Sequence, residues 1–417
     1  MKTFLQPLQN LAEMEEIQKQ AKKNCGILEI SGCMESQKAH LMYGLSGLFP
    51  CHLVIAADEK SAKELYEDYR FYDKRVYYYP AKDLLFFQAD IHGNLLIRQR
   101  MQVIRALLER EDEITVVTSI DGCMDYLAPL EKIEKQLIHF RNDSTLDMDK
   151  LTAALVHMGY ERVGQVEMPG QLSIRGGIID IYSLTEENPW RIELWGDEID
   201  SIRSFDAQSQ RSLENLDDVT IYPAAEQPME KNGVSFLDYF KETETLFFLD
   251  ELNHLEENAK AVQEEFQQSC ENRKEKGEIS LSGDWMCTWE ELCHKINDRN
   301  CVAMSLLDPK KSNWKISGQF NITVKSMSSY QSSFELLVKD LKQYKKEGYQ
   351  IVLLSGSRTR AERLAKDLQE EGLNAFYGQD SDRILQPGEI MVAYGHARRG
   401  FEYPLVKFAV ITETDIF

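Results

Sequence analysis

The chain has no Gly-Lys-Ser or Gly-Lys-Thr triplet, no Cys-x-x-Cys pair and no run of about 18 apolar residues. The first absence removes the lysine that neutralises phosphates in a working phosphate loop. The second argues against a zinc framework, because the eight cysteines (25, 33, 51, 123, 270, 287, 293 and 301) are scattered without regular spacing. Cys293-His294 near Cys287 makes a poor ligand set; free, mostly buried thiols in a reducing compartment are the expectation. The third gives no membrane span, and "MKTFLQPLQNLAEMEE" has neither a basic start nor a long apolar stretch, so a cytoplasmic protein is expected. Positive charge is also scarce: the net charge of −21 opposes non-specific attraction to a phosphate backbone, and any nucleic-acid contact must be local or belong to a partner.

The 417 residues are 43 % hydrophobic and 28 % charged, a globular composition too long for one ordinary core, so roughly two to four domains are expected. Residues 26–118 alternate strand-like runs ("GILEI", "HLVIAA", "RVYYYP", "ITVVTS") with helical patterns around 36–48, 59–72 and 94–110, an α/β layer arrangement. In the last helix Leu95, Leu96, Val103, Ile104, Leu107 and Leu108 form the apolar stripe, and Arg98, Arg100 and Arg105 mostly fall elsewhere. The tyrosines 77–79 suit a strand end beside Pro80 better than a base-stacking platform. A helix is expected within 144–163, and then the period changes. "QLSIRGGIIDIYS" (171–183) and "WRIELWGDEIDSIRSFD" (190–206) alternate as twisted antiparallel strands, with a turn at Gly196-Asp197. "TLFFLDE" (245–251) is a buried strand ending in two acids, followed by a charged helix over 252–276. After a polar linker (326–333) comes a last α/β unit, with a strand at 350–356, a helix at 358–372 and strands at 390–395 and 408–413. The chain stops at Phe417 directly after a strand, the ending expected of a fragment of something longer.

The stretch "EISGCMES" lies between a strand-like and a helical run, where a nucleotide-binding loop would sit. Laid on G-x-x-x-x-G-K-[ST], it places Glu29 at the first glycine, Gly32 within the loop, Met34 at the second glycine, Glu35 at the lysine and Ser36 at the serine. Only Ser36 fits, and Glu35 would repel phosphates by roughly the few kcal/mol that a lysine contributes. The loop is read as dead; from these residues alone, a plain strand-turn-helix connection remains an equal alternative. A second anion site at Ser355-Gly356-Ser357-Arg358 lacks the lysine and the loop length.

Arg175-Gly176-Gly177-Ile178-Ile179-Asp180-Ile181, then Gly196 to Arg203, Phe205-Asp206 and Gln210-Arg211-Ser212, resemble the N-terminal region of the transcription-repair coupling factor family (Mfd), itself similar to the excision-repair helicase subunit UvrB. The resemblance is good over about 1–320, and the last unit resembles that family's third domain. It implies an α/β multidomain chain: a degenerate RecA-like domain in two parts (1–120 and 215–325), an inserted small α+β domain (121–214) that binds UvrA, and a C-terminal α/β domain (326–417) of open role. Carried over residue by residue, Arg162 matches the arginine of the family's Tyr-x-Arg within Tyr160-Glu161-Arg162. Arg175 matches the arginine before the glycine pair, and Ser173 stands where the UvrB-like relative has a further arginine. Ser173 and Arg175 alternate with Leu172 and Ile174, so Arg175 is expected on the face opposite the apolar set, with Tyr182 as a nearby aromatic anchor. "FLDE" resembles the relative's magnesium-binding motif, but Leu252-Asn253 follows where the relative has Ser-His. Without a phosphate cradle Asp250 and Glu251 are expected to be structural, capping the helix at 252.

The resemblance therefore implies a non-enzymatic fragment without cofactor or metal that recruits UvrA and helps restrain a DNA translocase. The translocase, its ATP and Mg2+, and the contacts with RNA polymerase and DNA would belong to a part absent from this chain, with an intramolecular contact between the two. The competing readings are an active UvrB-like nucleotide hydrolase or helicase, which the missing triplet opposes, and direct binding of damaged DNA, which the acidic balance opposes unless folding assembles a small basic groove.

Overall fold

The structure, a computed structural model, describes residues 1–23, 26–82, 94–226, 233–276, 286–308, 314–378 and 382–417; Cys25 lies outside them. The chain opens with two short helices that the sequence reading passed over, α1 (Lys2–Gln9) and α2 (Met14–Ala21). Alternation follows: β1 (Ile27–Ser31), α3 (Glu35–Ser46), β2 (Cys51–Ala56), α4 (Glu59–Tyr72), β3 (Val76–Tyr79), α5 (Asn94–Leu108) and β4 (Ile114–Ser119). The start of α4 is fixed by Asp58, whose carboxylate accepts from Ser61 N at 2.7 Å, satisfying one of the orphan donors of the first turn.

The inserted region holds α6 (Leu130–Glu134), β5 (Ile138–Arg141), α7 (Met148–His157), β6 (Glu161–Arg162), β7 (Gln171–Arg175), β8 (Ile178–Ile181), β9 (Trp190–Trp195), β10 (Glu198–Phe205), β11 (Ser212–Leu216) and β12 (Asp218–Ile221). Six of its strands form one sheet in the order β11-β10-β9-β8-β7-β6, antiparallel except for the β6–β7 pair. β12 pairs with β5, so this region runs on to Ile221 rather than stopping at 214. Leu172, Ile179, Ile181, Ile192 and Ile202 face Leu151 and Leu155 of α7 in one core, as period-two alternation requires.

The chain then returns to the first layer with β13 (Thr245–Asp250), α8 (Leu252–Glu275), α9 (Trp289–Asn297), β14 (Cys301–Ser305) and β15 (Ile316–Asn321). The completed sheet is parallel throughout, in the order β15-β1-β14-β13-β2-β4-β3. It is buried on both faces: Leu53, Ile55, Val116 and Phe247 point into one core, while Leu28, Val54, Val117 and Phe248 point into the other.

The last unit comprises β16 (Lys325–Ser326), α10 (Phe334–Glu347), β17 (Gln350–Ser355), α11 (Arg358–Glu370), β18 (Ala375–Tyr377), β19 (Ile390–Tyr394), β20 (Phe401–Tyr403), β21 (Phe408–Thr412) and α12 (Glu413–Ile416). Its mixed sheet runs β16-β20-β21-β17-β19-β18, with β20 antiparallel between β16 and β21. Leu354, Phe401, Tyr403 and Phe408 join Phe4, Ala39 and Tyr72 in one apolar cluster, so this unit is packed against α1, α3 and α4 rather than tethered.

Arg100 departs from its expected place off the apolar stripe. It is fully buried, with its guanidinium 4.2 Å from the Tyr79 ring centroid, and it bonds Asp125 at 3.0 Å and Glu226 at 2.6 Å. Two carboxylates and a ring face make a buried arginine tolerable where helical periodicity alone placed it outside.

Candidate functional site

β1 continues through Ser31, so Glu29 is a buried strand residue and not part of a loop. Its Oε2 accepts from Gln319 Nε2 at 2.8 Å, and burial raises its pKa. What remains between β1 and α3 is Gly32-Cys33-Met34. Gly32 has φ +79°, and a Cβ there would meet Ile322 O at 2.2 Å, so only glycine fits.

A phosphate cradle needs free backbone donors. Here Gly32 N donates to Leu306 O at 3.2 Å, Cys33 N to Ser305 O at 3.1 Å and Met34 N to Gln37 Oε1 at 3.1 Å. The Ser36 hydroxyl, which would serve a metal ion in a working loop, donates instead to Asp68 at 2.9 Å and accepts from Arg399 N at 3.1 Å. Arg398 completes the cover, bonding Asp68 through N at 2.9 Å and through its guanidinium at 3.1 Å. Glu35, at the lysine position, points outward with Arg399 Nε 3.9 Å away.

A lysine is present one turn further along α3. Lys38 Nζ lies 2.6 Å from both Asp250 Oδ1 and Glu251 Oε1, almost out of solvent. Burial alone would lower its pKa, but the two carboxylates outweigh burial and raise it. This corrects the capping expectation: Glu251 occupies the N-cap position of α8 with φ +54°, yet its side chain caps nothing. It turns back to accept from Lys38 and from Leu306 N at 2.9 Å. Asp250 and Glu251 thus hold β13 to α3 through Lys38.

In the inserted sheet Arg175 stands on the outer face, 48 % exposed, at the tip of the β7–β8 hairpin. Its Nη2 bonds Asp180 Oδ2 at 2.7 Å, and the fully buried Asp180 is also gripped by Arg191 through Nε at 2.7 Å and Nη2 at 2.9 Å. Arg191 lies 4.5 Å over the Phe205 ring and bonds Gln210 Oε1 at 3.1 Å. One carboxylate shared by two guanidiniums ties Arg175 to the buried pair, while Glu193 on the same face is met by Arg203. Trp195 follows on the parity of Arg191 and Glu193 in β9 and is 83 % exposed beside the Gly196 turn.

The other expected contact residues do not gather there. Ser173 shares the face of Arg175 but is buried, donating to Gly164 O at 2.9 Å, because the 163–169 segment folds over it. Tyr182 stands opposite Gln171 at the far end of the hairpin, four residues along β8 from the partner of Arg175, roughly 13 Å at about 3.3 Å per residue. Its hydroxyl donates to Glu187 O at 2.5 Å. Arg162 is exposed but pairs with Leu172, which places it on the inner face; there it lines a shallow groove with Ile174, Thr152 and Val156 along α7. Asp180, Arg191 and Trp195 escaped the sequence reading, although an aspartate inside the apolar run "IIDI" signals a buried ion partner.

Among the described residues no group of three or more His, Cys, Asp or Glu side chains could hold a metal ion. Cys287 is pushed up to about 12, chiefly by burial, and the exposed His294 faces Asp298. The seven described cysteines are free thiols, five of them buried. No described helix is long and apolar enough to cross a membrane.

The architecture is thus that of a multidomain α/β protein: a parallel seven-stranded layer, an inserted β-rich region with an exposed arginine, and a C-terminal mixed sheet. Residues 138–226 match the family model of the UvrB interaction domain. Over most of its length the chain is homologous to transcription-repair-coupling factors. It is 29 % identical to that of Bacillus subtilis (strain 168) over 93 % of this chain and 39 % of the relative, and 25 % identical to that of Staphylococcus haemolyticus (strain JCSC1435) over 82 % and 34 %. The chain therefore spans little more than a third of the curated relatives it matches.

Proposed function

We propose that this chain is the N-terminal part of a transcription-coupled repair factor and acts without catalysis, as the module that recruits the excision-repair ATPase UvrA. The observation that carries this reading is the exposed Arg175 guanidinium, held by the buried Asp180–Arg191 pair within the matched interaction domain. A rotamer fixed in advance loses less entropy on docking, and Trp195 on the same face supplies apolar area of the kind that anchors interfaces. The seven-stranded domain serves as a degenerate RecA-like scaffold; the engagement of Gly32, Cys33 and Met34 N–H by protein acceptors supports that role. ATP and Mg2+, the DNA translocase and the RNA-polymerase contact belong in this reading to the remainder of the longer protein, with which the inserted sheet also makes a restraining contact. Neither an active hydrolase nor a helicase gains support from a loop with no free cradle.

Calorimetric titration of the chain with UvrA tests the reading. Saturable binding is expected, and Arg175→Glu weakens it by roughly 2 kcal/mol, about 30-fold, on the scale of interface arginines. Undiminished affinity in a folded Arg175→Glu variant would remove the outer face as the docking site.

A further inference from the structure

The last unit carries a second feature, which rests on none of the recruitment reading. β17 lies between β21 and β19; the chain leaves β17 toward β18 on one side and leaves β19 toward β20 and β21 on the other. The residues that follow the carboxyl ends of β17, β18 and β19 (Gly356, Gly378 and Gly395) line a crevice, at the end of a parallel sheet where ligands usually bind. Here the crevice has a volume of about 680 Å³ and is walled on its far side by α4. Gly395 permits the approach of the two units, since a Cβ there would come within 2.1 Å of the Phe71 ring.

Charge in the crevice runs against that of the whole chain. Arg70 enters from α4, Lys74 from just past its end, Arg358 from the start of α11 and His396 from just past β19, facing one lining acid, Glu67. Among the described residues Arg70, Lys74 and Arg358 have no carboxylate partner. Lys74 Nζ donates to Arg70 O at 2.9 Å, while the guanidiniums of Arg70 and Arg358 lie 5.4 Å and 5.5 Å over Tyr66 and Tyr394. Neighbouring arginines are committed: Arg360 to Glu413, Arg398 to Asp68 and Arg383 to Glu389. Glu413 also takes Gly356 N at 2.7 Å, so the end of α11 is already neutralised and the free positive charge resides on side chains. Tyr394, 53 % exposed, presents a ring among these cations.

We propose that this crevice binds single-stranded nucleic acid, with a base stacked on Tyr394 and successive phosphates against Arg70, Lys74 and Arg358. Lys74, just past the end of α4, reaches back to Arg70 O, so the two cations flank one edge of the crevice. An open crevice with an exposed ring lets a strand pass through, and stacking plus local charge is how strands are held without sequence preference. The sequence hides the site because its parts come from two units more than 280 positions apart.

The test is fluorescence anisotropy of a short labelled oligothymidylate against the full chain at low salt. Saturable binding is expected, falling with salt at a log–log slope near about −2 for three phosphate contacts. Arg70→Glu/Lys74→Glu should weaken it at least about tenfold, and Tyr394→Ala by about 5- to 100-fold, while Tyr394→Phe keeps the stack and stays within about twofold. Lys339→Glu, on an exposed position of α10, reports any general charge effect and should change nothing. Three results overturn the site: no saturable binding by the parent chain, equal loss in Lys339→Glu, or full binding by a folded Tyr394→Ala. Competition by thymidine monophosphate as effective as by the oligonucleotide overturns the strand as the ligand.

Discussion

Lys38 shows what a single side chain can join. Its ammonium stands between Asp250 and Glu251, linking the acidic end of β13 to α3. Removing the cation leaves two carboxylates facing each other, Asp250 almost completely desolvated, with only Leu306 N left to answer Glu251. Lys38→Met should therefore cost about 3 kcal/mol of unfolding free energy, the low end for breaking a buried pair because Glu251 keeps some solvent contact. Denaturant unfolding measures it. A loss within about 0.5 kcal/mol, typical of surface changes, would mean that the triad is incidental to the fold.

Among the elements, the loop before α3 shows that a phosphate-binding motif needs free backbone donors as well as the right side chains. Met34→Gly/Glu35→Lys recreates Gly-Lys-Ser, yet Gly32 N and Cys33 N still belong to Leu306 and Ser305, and Ser36 still belongs to Asp68 and Arg399. This double variant should give no saturable calorimetric heat with millimolar ATP when measured in the Arg70→Glu/Lys74→Glu background, which silences the crevice beside α4. A binding isotherm there would show that side chains alone had disabled the loop. The same loop marks the limit of what the sequence displays. The strands 27–31 and 114–119, the helix 59–72 and the exposure of Arg175 were legible because period-two and period-3.6 patterns record which face is buried. The helices α1 and α2, eight residues each with Pro7 inside the first, and the short strands β14 and β15 were not, since so short a run carries few repeats of any pattern. Ser173 and Tyr182 misled for a related reason. Alternation gives the side of a sheet, whereas burial of Ser173 comes from a segment crossing that side, and the distance of Tyr182 from Arg175 comes from hairpin register.

At the scale of the whole molecule, the seam between the first layer and the last unit should respond to acid. His40, on α3, is wrapped by Phe4, Tyr72, Phe401, Tyr403 and Phe408, and burial holds its pKa down to about 4. The neutral ring is the one the bonds require: Nε2 is 2.8 Å from Phe4 O, which can only accept, and Nδ1 is 3.1 Å from Tyr403 OH, which itself accepts from Gln37 Nε2. His52 is lowered likewise to about 4. With the folded value below the unfolded 6.5, the unfolded chain takes up the proton first, so stability is complete above pH 6.5 and is lost as pH falls toward 4. Each histidine contributes about 1.4 kcal/mol per pH unit in that window. Asp121, raised to about 6 by burial, acts in the opposite direction below that value, so the parent curve mixes both effects and the difference between variants isolates His40. His40→Gln keeps a donor and an acceptor without a titrating ring. Between pH 7 and pH 5 it should lose about 2 kcal/mol less than the parent in urea unfolding. Parallel curves for the two proteins would show that His40 is already protonated in the folded seam, or accessible to solvent, and that the last unit is not held to the first by a neutral imidazole.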